Sequence, residues 1–129
     1  MTPELTYLVW SAALTVVLVV IAVGGAALQV GVPVLVDNRE DMPKLRGWVG
    51  RAERAHHNML ESLVLFAILV IAAHLANIHN GLTLLGAQLF FWGRVAHAIL
   101  YIAGIPWART AAWTVSIIGL LLIFLQLVG

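Results

Sequence analysis

Two apolar stretches flank a polar segment: no Asp, Glu, Lys or Arg occurs from Leu5 to Val36 or from Ser62 to Gly93, and ten of the thirteen charged residues fall between Asp37 and Glu61. Each stretch exceeds the roughly 20 residues a helix needs to cross a bilayer. The runs are continuous rather than alternating, and backbone in hydrocarbon must close its own hydrogen bonds. Helices are therefore favoured over open strands or a barrel. The pattern predicts four of them, at about Leu5–Val32, Gly50–Ala76, Leu82–Ala103 and Trp107–Leu127. Pro33 and the polar residues beyond it end the first, His79-Asn80-Gly81 turns the chain between the second and third, and Gly104-Ile105-Pro106 separates the last two. The expected fold is an all-α integral membrane protein, a four-transmembrane-helix bundle with residues 1–129 in a single domain.

Composition agrees with this class. The chain is 62% hydrophobic and 10% charged, with a mean hydropathy of +0.99, outside the usual range of soluble domains. The initial apolar run is too long for the core of a signal peptide and has no basic residues before it, so it is expected to be a retained helix. The chain has no cysteine, which excludes disulfides, thiolate metal sites and a protein-borne thiol nucleophile. A net charge of +1 without a basic tail gives no reason to expect nucleic-acid binding.

Four crossings place both termini on one side of the membrane and the long Asp37–Arg54 connection on the other. That connection carries Arg39, Lys44, Arg46, Arg51 and Arg54, whereas the His79–Gly81 turn has neither Lys nor Arg. The positive-inside rule then puts the long loop in the cytoplasm and both termini outside. The expected location is a bacterial inner membrane. Gly24-Gly25-Ala26-Ala27 would allow a neighbouring helix, or a ligand, to approach the first helix closely.

Arg51, Arg54, Asn58 and Glu61 follow one another at intervals of three, four and three, so a helix presents them on one stripe. Lipid is a costly environment for such a stripe. It is either an internal Arg54–Asn58–Glu61 network or a polar ligand site in which guanidinium and amide groups donate to carboxylates and Glu61 accepts from an amine. Arg94, His97 and Tyr101 repeat the arrangement on the third predicted helix. Arg94 is about ten residues from the cytoplasmic turn, too deep to reach water comfortably through lipid, and is expected to share a polar cleft with Glu61. Arg109 either sets topology beside the last turn or stabilises a thiolate brought by a small molecule, since a permanent cation favours thiolate over thiol. His56 and His57 are expected at the membrane interface, as are His74 and His79. No HExxH pattern supports a metal site. Trp48, Trp92, Trp107 and Trp113 fit cytoplasmic-side anchors or packing residues, and Trp10 fits the other interface.

The segments Arg51-Ala52-Glu53-Arg54-Ala55-His56-His57-Asn58-Met59-Leu60-Glu61 and Gly93-Arg94-Val95-Ala96-His97-Ala98-Ile99-Leu100-Tyr101 resemble the MAPEG family, the membrane-associated proteins in eicosanoid and glutathione metabolism, and the helix layout extends the resemblance over nearly the whole chain. It implies a homotrimer of four-helix subunits with glutathione, as cosubstrate, bound between subunits near the cytoplasmic face. Arg54, Asn58 and Glu61 match glutathione-contacting positions, Arg94 and Tyr101 match polar positions on the third helix, and Arg109 looks like the arginine tied to thiol activation. His97 stands where branches of the family carry tyrosine or histidine. The implied activity is that of a microsomal glutathione S-transferase-like enzyme: glutathione enters from the cytoplasm, a hydrophobic electrophile enters from lipid, and peroxide reduction by the same thiolate is a related outcome. The family also contains members that bind lipids or scaffold other enzymes without catalysis.

Overall fold

Thr2 begins the first helix. Its hydroxyl accepts from the Leu5 amide, and Pro3 occupies the first turn, where a missing N–H costs nothing. The computed structural model describes residues 1–129, all in helices or the connections between them: α1 (Pro3–Val30), α2 (Val32–Val36), α3 (Gly47–Leu75), α4 (Gly81–Ala103) and α5 (Pro106–Val128). The first helix ends earlier than its sequence suggested. Gly31, at φ 88, breaks it, and Pro33 then falls in the first turn of the five-residue α2, where proline is tolerated. Proline thus starts a short helix here instead of stopping a long one. Asn80 and Thr83 form a reciprocal capping box at the start of α4, and Gly104 in the left-handed region closes its end.

α1, α3 and α5 are long and apolar enough to cross a membrane. α4 has 23 residues, about 35 Å of helix at 1.5 Å per residue, but Gln88, Arg94 and His97 dilute its apolar composition. Only 29 of the 129 residues are buried, so most of the apolar side chains lie at least partly outside the core. Val16, Val20, Leu65, Ile68, Leu121 and Leu125 are all exposed. A surface of this kind is suited to lipid and not to water. These features make the chain an all-helical integral membrane protein.

The closest helix pair is α4 with α5. A Cβ placed on Gly86 would lie 2.6 Å from the Gly119 carbonyl oxygen, and one on Gly93 would lie 3.0 Å from the Ser116 nitrogen. Small residues one above the other thus let the two backbones touch, the usual way apolar helices gain packing where lipid offers no hydrophobic driving force. Between α3 and α4, Phe66 stacks on Phe90 with centroids 4.1 Å apart, within a core completed by Leu18, Met59, Val70 and Ile123. On the other flank, a Cβ on Gly25 would come within 2.9 Å of the Trp48 ring, so within this chain it is α3 that approaches the small-residue patch of α1. Gln29 closes the long loop: its amide accepts from the Arg46 N–H at 2.8 Å and donates to the Arg46 carbonyl at 3.1 Å.

Candidate functional site

The polar stripe on α3 divides between three environments. Arg51 leans toward the end of α4 and donates from Nε to the Ile102 carbonyl at 3.0 Å, satisfying one of the acceptors a helix C-terminus leaves free. Asn58 is half-buried and accepts from Arg94 Nη2 at 2.7 Å. Arg54 and Glu61 are exposed on the surface of the chain. The expected pairing of Arg94 with Glu61 is therefore absent within the chain. Arg94 reaches the inward-facing amide one turn earlier on α3, and the carboxylate points away from it.

Four of the residues singled out by sequence do meet. Asn58, His97, Tyr101 and Arg109 line a cavity of about 240 Å³, together with Thr110 and Trp113. Arg109 is carried there by the first turn of α5, directly after the tight Gly104–Pro106 connection, and its guanidinium carbon lies 4.3 Å from the centroid of the Tyr101 ring, a cation–π arrangement. His97 meets the same ring edge-on at 5.4 Å. Tyr101 is thus clasped on two sides, with its position and that of Arg109 mutually fixed. Thr110 was not expected from sequence, and Trp113 was expected as an anchor or packing residue; the available signal was their place one and four residues after Arg109, which puts Trp113 on the same face of α5.

The electrostatics favour an anion. Arg94 is only 1% exposed, Asn58 is its one hydrogen-bond partner, and its Nε and Nη1 have none. His97 Nδ1 is likewise buried and unpaired. A guanidinium without a counter-charge at this depth is costly. No carboxylate lines the adjoining cavity, whereas Arg109 does. Asn58, Tyr101, Arg109 and Thr110 all carry donors, so the cavity suits a ligand rich in acceptors and negative charge.

A second cavity, of about 410 Å³ and mostly apolar in its lining, brings Arg39, Glu53, His56 and His57 against residues of α1. At the opposite end of the bundle a third cluster escaped the sequence reading. Glu4 is 5% exposed and accepts from the Thr83 hydroxyl at 3.1 Å, while His79 Nδ1 lies 3.9 Å from its other oxygen. Asn80 donates to Gln126 at 3.0 Å. His79, expected at the membrane interface, is part of a clasp that joins the start of α1 to the α3–α4 turn. Nothing in the spacing of Glu4 and His79 along the chain announced it.

No similar curated protein and no similar solved structure was found. The family model of the MAPEG family, by contrast, matches residues 5–129, so that the match takes in the Arg51–Glu61 and Gly93–Tyr101 segments as well as Arg109. With its apolar helices and the polar cavity between them, the chain belongs to the MAPEG family.

Proposed function

We propose that this protein is a membrane glutathione S-transferase-like enzyme that joins the glutathione thiolate to a hydrophobic electrophile. The observation that carries the reading is the cavity in which Arg109, held against Tyr101, stands beside Asn58 and His97 with no carboxylate in its lining. Glutathione brings the carboxylates and peptide carbonyls that such donors recognise, and it brings the thiol that a chain without cysteine lacks. The guanidinium of Arg109 favours loss of the thiol proton to solvent. The thiolate sulfur then forms a bond to the electrophilic carbon, and the leaving group, where there is one, departs with the electron pair. With a hydroperoxide as acceptor, the same thiolate attacks oxygen, and a second glutathione completes the reduction to alcohol and water by forming glutathione disulfide.

Arg54 and Glu61 complete the site from the outer face of α3, across a contact with a neighbouring subunit in a homotrimer. Their exposure in a single chain supports this, because charged side chains facing lipid are expensive and an intersubunit cleft relieves the cost. All four long helices cross the membrane, with the Asp37–Arg54 connection on the cytoplasmic side and both termini outside, in keeping with the excess of Lys and Arg in that connection. Glutathione reaches the cavity from the cytoplasm and the acceptor enters from lipid.

One feature favours a second reading, lipid binding without transfer. A groove of about 600 Å³ runs beside α1 and α4 and is lined by Tyr7, Trp10, Phe91 and Trp92. An ultraviolet difference titration of the purified protein with glutathione separates the two. Thiolate absorbance appearing below the pH at which free glutathione ionises is the expected result. No thiolate and no glutathione binding, with a lipid retained through purification, establishes the second reading instead.

A further inference from the structure

We infer that Arg94 sets the specificity of the ligand cavity without entering it: by holding the amide oxygen of Asn58, it leaves the amide NH₂ as the group that Asn58 offers the ligand. Asn58 then recognises an acceptor, such as a carboxylate or a peptide carbonyl. The inference rests on the glutathione reading for the identity of that ligand, but not for the geometry.

A side-chain amide has one oxygen that accepts and one nitrogen that donates, and a guanidinium only donates. The 2.7 Å contact from Arg94 Nη2 therefore requires the Asn58 oxygen on the Arg94 side. The nitrogen of the planar amide is turned the other way, makes no hydrogen bond within the chain, and belongs to a residue that lines the cavity. Arg94 itself is not among the lining residues and is only 1% exposed. Its backbone has little freedom to shift, because the preceding residue, Gly93, lies against α5 so closely that a Cβ would come 3.0 Å from the Ser116 nitrogen. Arg94 is thus a positioning residue. It acts on the ligand through Asn58, and its own charge adds to the positive field around the cavity.

Three measurements on the detergent-solubilised, full-length protein test this. In calorimetric titrations with glutathione, Arg94→Met is expected to lower affinity about tenfold, equivalent to about 1.4 kcal/mol, yet to change it less than about twofold when Asn58 is already alanine, by the logic of a double-mutant cycle. Equal losses in both backgrounds overturn the inference. Asn58→Asp keeps a partner for Arg94, so it holds the fold while replacing the donor by an acceptor; it should lose at least as much affinity as Asn58→Ala, and wild-type affinity overturns the inference. The third measurement needs no ligand. The Asn58 side-chain nitrogen should show an order parameter near about 0.85 in wild type and below about 0.6 in Arg94→Met; a mobile amide in wild type, or one equally rigid in both, overturns the positioning role. A wild type that fails to bind glutathione but shows the expected order parameters rejects the glutathione reading and leaves the orientation of Asn58 intact.

Discussion

The guanidinium carbon of Arg109 lies 4.3 Å from the centroid of the Tyr101 ring, which fastens the first turn of α5 to the last turn of α4. Gly104, at φ 82, makes this possible: it reverses the chain within the few residues between the two helices. The cation is thereby held at the cavity, where the proposed activation of a thiolate needs it.

Replacing Arg109 by alanine is expected to raise the pKa of bound glutathione, because the cation favours the anionic sulfur over the neutral thiol and its removal takes that preference away. The thiolate fraction at neutral pH should fall, and turnover at saturating glutathione should drop on the order of a hundredfold. Thiolate absorbance against pH, recorded for both proteins in preparations of matched assembly, checks this. An unchanged thiolate pKa removes Arg109 from the activating role.

Arg54 and Glu61 are exposed in the single chain, and their proposed work depends on a neighbour. Arg54→Ala should weaken glutathione binding by ~1–3 kcal/mol through loss of a charge-assisted contact, and Glu61→Gln should weaken it by removing an acceptor for the ligand amine. Native mass spectrometry should find three chains per complex. A monomer that binds glutathione with wild-type affinity contradicts a shared site.

Arg51 offers a contrast within the same stripe. Its hydrogen bond to the Ile102 carbonyl anchors the end of α4, so Arg51→Ala should reduce stability by ~1–2 kcal/mol and disturb glutathione binding less than Arg54→Ala does. Denaturation in detergent and calorimetry, run on the same preparations, compare the two effects.

Gly119 faces the backbone of α4 at Gly86, with no room for a side chain between them. Gly119→Val should force the helices apart at a cost of about 1–3 kcal/mol or more, and should lower thermal stability further than the same change at Gly24, whose Cβ would meet nothing within 4 Å. Melting curves of the two variants decide it.

Glu4→Ala removes the acceptor of the Thr83 hydroxyl and the partner of His79. A loss of ~1–2 kcal/mol is expected, with little effect on glutathione affinity, since the clasp lies at the other end of the bundle from Arg109. A large drop in affinity with unchanged stability would tie Glu4 to the site.

Much of this protein was determined by the order of its residues alone. The charge-free runs demand helices because hydrocarbon offers the backbone no other partners, and the spacing of Arg94, His97 and Tyr101 places them on one face because helical geometry is local. Helix ends were legible where a side chain or a proline closes them, as at Asn80 and Pro106. They were misplaced at Val32, where the effect of Gly31 outweighed the more conspicuous Pro33. Only the tertiary structure decided the partners. Asn58 and Glu61 are three residues apart on a helix of 3.6 residues per turn, some 60° apart around its axis, and the way α3 meets α4 turns the amide inward to Arg94 and the carboxylate outward. Glu4 and His79 likewise meet because α1 and the α3–α4 turn end at the same level of the bundle. Such pairings join residues distant in sequence, and they depend on the rotation and depth of each helix, which close contacts such as Gly86 against Gly119 set.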